Sequence, residues 1–130
     1  DLGRARMQAM ETFLDDYDAG RREGRYVADE LPTLSFADGA FDLALCSHFL
    51  FLYSEQLTEA FHCRTILDLS RVAREGRIFP LTALGGEKSR HVEAVGARLR
   101  ESALTVKIER VPYEFVRGAN EMMRVRQHAG

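Results

Sequence analysis

Two short stretches hold the residue types that a ligand site would use. One is Asp29, Glu30 and Leu31; the other is Cys46, Ser47, His48 and Phe49. A carboxylate just past a strand accepts hydrogen bonds from a purine amine or a ribose hydroxyl, and small and aromatic residues line a slot for a flat cofactor. The competing reading of Asp29 and Glu30 is a pair of solvated loop charges. His48 suggests a general base and Cys46 a nucleophile. No Cys-His pair supports either role, because a thiol still inside a buried strand is inert. Packing at the top of a sheet is the alternative for His48, Leu50 and Leu52. His62, His91 and His128 have no metal-ligand spacing with one another or with Cys63, so no metal is expected. Gly85-Gly86 lacks a following lysine-serine pair, and neither G-x-S-x-G nor G-x-G-x-x-G occurs. These residues allow a ligand site and leave its reaction open.

The elements that would position them follow from periodicity. Residues 3–19 read as a helix, with Met7, Met10, Phe13, Leu14 and Tyr17 on a stripe that calls for a core, ended by Gly20 and Gly24. Residues 25–28 form a short strand candidate around Tyr26 and Val27. A loop with Pro32 and an Asp38-Gly39 turn leads to a strand over 41–46, apolar enough to be buried on both faces as in a parallel sheet. An aromatic loop (47–56) precedes a helix over 57–73, with Ala60, Phe61, Leu67 and Val72 inward. Gly76 then punctuates before a strand over 77–81. A helix over 91–102 and a strictly alternating strand over 104–111 follow, then a loop over 112–120 and a strand over 122–126. The expected fold is α/β: parallel strands with an antiparallel C-terminal strand at the end of the sheet.

The 130 residues suffice for one domain, a helix over 1–24 followed by a sheet portion over 25–126. Eighteen Lys and Arg against twenty Asp and Glu argue against a nucleic-acid binder. The longest apolar run, five residues over 49–53, is far short of a membrane span. No signal peptide is read at the start. Cys46 and Cys63 are expected as free thiols of a cytoplasmic protein. The opening at Asp1, straight into helical pattern, reads as a cut or processed end.

Residues 34–48, LSFADGAFDLALCSH, resemble the L-P-F-x-D-x-S-F-D-L-V-x-C-S-H stretch of class I S-adenosylmethionine-dependent methyltransferases, the loop into that fold's fourth strand and the strand itself. Residues 67–77, LDLSRVAREGR, are similar to the family's helix end and turn, with Arg74-Glu75-Gly76 where the family has Pro-Gly-Gly. The resemblance covers roughly residues 25–126. It implies an incomplete Rossmann-like methyltransferase sheet, taken from the family order 3-2-1-4-5-7-6. S-adenosyl-L-methionine is the implied cofactor, touched on its adenine side by Asp29 or Glu30, then Leu31, and walled by Cys46, Ser47, His48 and Phe49. The family's glycine-rich loop and ribose carboxylate are absent, so binding by this chain is expected to be weak or nil. His48, Phe51, Tyr53 and the 112–120 loop are expected nearest the unknown methyl acceptor. Methyl transfer asks little of acid-base groups, since the sulfonium is already activated and positioning supplies the acceleration. The alternative function is a non-catalytic half-fold for oligomerisation or partner binding.

Two structural expectations follow. Asp42 should hydrogen-bond backbone amides near the turn into its strand. Without the family's first two strands, the edge of 41–46 is bare. Residues 25–28 slide over to it, the chain aggregates, or, as favoured, a homodimer forms through strand edges or N-terminal helices.

Overall fold

A computed structural model describes residues 1–127. The elements run α1 (Leu2–Arg22), β1 (Phe41–Ser47), a 3-10 turn (Phe51–Tyr53), α2 (Glu59–Val72), β2 (Ala73–Phe79), α3 (Val92–Glu101), β3 (Leu104–Arg110) and β4 (Glu121–Gln127). The four strands form one mixed sheet in the order β1-β2-β4-β3. β1 and β2 are parallel, with Leu45 opposite Arg77; β4 is antiparallel to both β2 and β3. The fold class is α/β. The antiparallel C-terminal strand is present, but it lies inside the sheet rather than at its end, and β3 takes the edge.

Both α2 and α3 pack on one face of the sheet. Cys63, Ile66, Val95 and Leu99 meet Ile78, Val106, Met123 and Val125, and Leu50, Phe51 and Leu81 close the core above the strand ends. Within α2 the inward residues are His62, Cys63, Thr65, Ile66, Leu69, Ser70 and Val72. Ala60 and Leu67, read as inward, are exposed. The helix starts at its Thr58 cap, whose side chain accepts from the Phe61 amide, and the polar His62 and Thr65 occupy positions an apolar count passes over. No glycine separates α2 from β2. Ala73 takes an extended conformation directly after the helix, so the strand starts four residues earlier than read and Gly76 lies within it.

Among the described residues no helix covers the other face of the sheet. Across it run two rows, Leu45-Arg77-Arg124-Lys107 and Leu43-Glu75-Arg126-Thr105. The reading of 41–46 as buried on both faces is therefore wrong in this chain: Phe41, Leu43 and Leu45 are all exposed, Leu45 to 69%. The outer edge of β1 has no strand partner among the described residues.

The N-terminal region departs furthest from the sequence reading. α1 extends through Gly20 to Arg22, and its stripe finds no core: Met7, Met10, Phe13, Leu14 and Tyr17 are exposed. Residues 25–28 do not form a strand. Arg25 folds back to bind both oxygens of Asp16 (2.6 and 3.0 Å), and the Tyr26 ring packs against Phe13 and Tyr17 with centroids 5.6 and 5.3 Å apart. A Cβ at Gly20 would lie 2.2 Å from that ring, so Gly20 serves close packing within α1 rather than ending it. Local contacts with α1 thus use the side chain that the strand reading needed.

Candidate functional site

β1 delivers Cys46, Ser47 and His48 to the carboxyl end of the sheet, where the backbone reverses. The His48 amide donates to the Phe79 carbonyl at 2.7 Å, which extends the parallel ladder by one bond. His48 then adopts φ 57°, a left-handed conformation that a side chain occupies at a cost. Its Nδ1 lies 2.6 Å from Ser47 Oγ. The ring is edge-on to Phe115 (centroids 4.5 Å) and Phe79 (5.9 Å), and Phe79 in turn touches Tyr113 (5.8 Å). The turn therefore presents an imidazole, a hydroxyl and three aromatic rings, with His48, Tyr113 and Phe115 exposed.

Below this turn, burial pushes the Cys46 thiol pKa up, although the Leu50 amide works the other way. A protonated, half-buried thiol is a packing group, not a nucleophile. Phe49 turns inward against Tyr53 and Phe61. Phe51, expected near an acceptor, is fully buried in the core, and Tyr53 is half-buried.

A buried polar lattice supports the turn, and the sequence reading missed it. His62 Nδ1 lies 2.7 Å from the Thr58 carbonyl and holds the proton there, which leaves Nε2 as an acceptor without a hydrogen-bond partner. Burial pushes the His62 pKa down. The His91 ring lies 4.9 Å from it, and His91 Nε2 donates to the Ser54 carbonyl at 2.9 Å. Ser54 also bonds the Phe51 carbonyl and Ser89 Oγ, and Ser89 accepts from the His91 amide. The lattice ties the loop after β1 to the loop after β2. Its signal in the sequence was weak: histidines and serines scattered over 38 residues acquire meaning only when the chain folds.

Asp29, Glu30 and Leu31 lie elsewhere. Asp29 accepts from the Ser35 amide and hydroxyl and from the Glu30 amide, and these bonds hold its carboxyl below the ordinary range. This loop docks at the amino ends of β1 and β2. There Asp68 accepts from the Leu34 amide, and Arg71 donates to the Leu34 and Phe36 carbonyls, to Asp38 and to Asp68. The Gly39 amide completes the clamp on the Arg71 carbonyl. Seven residues of β1, roughly 20 Å, separate this end from His48. Asp42 takes no part in the clamp. Its side chain is 94% exposed and 3.7 Å from Arg74, so the expected amide bonds are absent and Arg71 and Asp68 hold the turn instead.

The structure therefore brings Cys46, Ser47, His48 and Phe49 together and leaves Asp29, Glu30 and Leu31 at the opposite end. As placed, the two stretches do not line one common slot, and the Asp29 carboxylate is engaged by Ser35 and the Glu30 amide. Among the described residues no group of three or more His, Cys, Asp or Glu is arranged to hold a metal, and no helix is long and apolar enough to cross a membrane.

Over 124 residues the chain is 36% identical to a protein of Methanocaldococcus jannaschii described as uncharacterized. The match covers 95% of this chain and 53% of that protein, so the chain spans about half the length of the curated relative it matches. No family model and no solved structure matches the chain.

Proposed function

We propose that this chain is the C-terminal portion of a Rossmann-like, S-adenosylmethionine-dependent methyltransferase domain of the cytoplasm, which in its intact form transfers a methyl group to an acceptor not yet identified. The observation that carries the reading is the turn at Ser47-His48. A strained, exposed histidine with aromatic neighbours stands at the carboxyl ends of parallel strands, where open α/β sheets place their ligands. The order β1-β2-β4-β3 agrees with the last four strands of 3-2-1-4-5-7-6, which supports the same reading. In this proposal Ser47 and His48 form the wall against the ligand, and Phe79, Tyr113 and Phe115 face the acceptor. The grip on the nucleoside comes from residues outside these 130.

Titration calorimetry with S-adenosylmethionine and S-adenosylhomocysteine tests this on two proteins. The 130-residue chain is expected to give no saturable heat, since each missing charged hydrogen bond costs about 1.5–3 kcal/mol. The longer M. jannaschii relative is expected to bind, and replacing the residue that aligns with His48 should weaken that binding. A relative that binds neither ligand overturns the reading.

A second reading is a non-catalytic module for oligomerisation or partner binding. One observation favours it: the apolar stripe of α1 and the apolar residues of β1 are both exposed.

A further inference from the structure

The buried lattice at the carboxyl end joins a weakly anchored segment to a firmly anchored one. Residues 82–91, between β2 and α3, form a strap whose buried members are Thr82 and Ser89, both polar; its one large apolar side chain, Leu84, is exposed. Three bonds tie the strap to the loop after β1. The Leu84 amide donates to the Leu52 carbonyl at 3.0 Å, Ser89 and Ser54 share a hydroxyl bond, and His91 Nε2 donates to the Ser54 carbonyl at 2.9 Å. His62 of α2 is fully buried, with its ring centroid 4.8 Å from Phe51 and 4.9 Å from His91.

The lattice has a place for only one proton on His62. Carbonyl oxygens accept and cannot donate, so the Thr58 carbonyl fixes that proton on Nδ1. A second proton would go to Nε2, which is buried without an acceptor, and would set a cation against the His91 ring. No counter-charge is arranged to receive it. Glu59 of α2 is paired with Arg98 of α3 at 3.3 Å, and Tyr53 of the loop packs on Phe49. Arg64 of α2, Glu55 of the loop, Glu87, Lys88 and Arg90 of the strap, and Glu93 of α3 are all exposed. Of the titratable groups around His62, His91 is the one whose charge bears on it. His62 can therefore take the proton only where water reaches Nε2. Phe51 and the inner face of α2 belong to the core, so the cover that can move is the strap.

We infer that His62 and His91 form a proton-sensitive latch: with His62 neutral the strap is held to the loop after β1, and proton uptake at His62 releases the strap while the sheet stays folded. Every group in the latch lies within residues 51–91, and the inference does not depend on methyl transfer.

Amide hydrogen exchange on the 130-residue chain tests this, with each rate divided by the intrinsic rate at the same pH. An opened His62 titrates near its ordinary value of about 6.5, so opening gains at most about tenfold per pH unit below it. Protection of the Leu84 and Ser89 amides should fall about five- to tenfold between pH 7.5 and 5.5. Their exchange should also be insensitive to low urea, as a small local opening requires, whereas amides of the central strand β4 should exchange more slowly and respond to urea. His62→Asn, folded by circular dichroism, should abolish the fall at Leu84 and Ser89. Strap amides that match β4 in protection and urea response would mean that they open only when the whole chain unfolds, and overturn the latch. Protection that does not change with pH overturns it as well. A fall that persists in His62→Asn would mean that another group takes the proton, with the same consequence. The pH and urea comparisons need only the wild-type chain, so they decide the matter even if the variant does not fold.

Discussion

The two ends of the sheet hold their side chains differently. At the amino end, Arg71 uses its guanidinium on two carbonyls and two carboxylates, and Asp68 takes an amide in return. The Arg71 guanidinium and the Asp68 carboxylate are both engaged, although Ser70 Oγ beside them is buried without a hydrogen-bond partner. At the carboxyl end, His48 is held in a left-handed conformation, aromatic rings are exposed, and His62 Nε2 and Thr65 Oγ1 are buried without hydrogen-bond partners. Buried polar atoms without partners occur at both ends, so what separates the two is the backbone strain at His48 and the exposed rings around it. The residues that carry the methyltransferase resemblance divide between the ends. Asp38 and Arg71 belong to the clamp, and Ser47 and His48 to the turn. A sequence pattern that looks like one motif thus contains a half that clamps the entry turn and a half exposed at the far end of the strand.

The comparison can be broken most directly at Arg71. Arg71→Ala removes the clamp and leaves Asp68, Asp38 and two carbonyls without their donor. Its melting temperature should fall further than that of any other variant named in this section, with Arg71→Lys intermediate because an ammonium cannot fork to so many acceptors. Equal loss from a change at His48 would mean that the two ends are not distinct.

A smaller effect comes from pH at the other end. Burial holds the folded His62 pKa below the unfolded value of about 6.5. As pH falls through that value the unfolded chain takes up a proton that the folded chain refuses, so stability falls until the folded pKa is reached. The slope is at most about 1.4 kcal/mol per pH unit for one proton. Urea unfolding between pH 7.5 and 5 should show it. His62→Asn, which can keep the bond to the Thr58 carbonyl, should remove His62's share of the slope. An unchanged slope would place the sensitivity elsewhere.

The smallest effect belongs to Asp42. Its exposed side chain makes one long ion pair, so Asp42→Asn should change stability by less than about 0.5 kcal/mol. A loss above 1 kcal/mol in urea unfolding would restore Asp42 to the clamp.

Most of the sheet was legible in the sequence because strand and helix periods are local. The alternation of Leu104, Val106 and Ile108 against Thr105, Lys107 and Glu109 marked β3 to within a residue, and a nearly continuous apolar run, broken at Asp42, marked β1. The sequence by itself determined the α/β class, the order of elements after residue 40, and the position of Ser47-His48 at the end of a strand. Partnership across long separations was decided only by the tertiary structure. It placed Asp29 about the length of a strand from His48, gave the entry turn to Arg71 rather than Asp42, and set His62 against His91 under the loop. It also drew Tyr26 back onto α1, which left both the helix stripe and the β1 residues uncovered. The physical reason is the same in each case. A period records which face of an element is apolar; which surface covers that face, and which carboxylate meets which guanidinium, depends on where the rest of the chain goes.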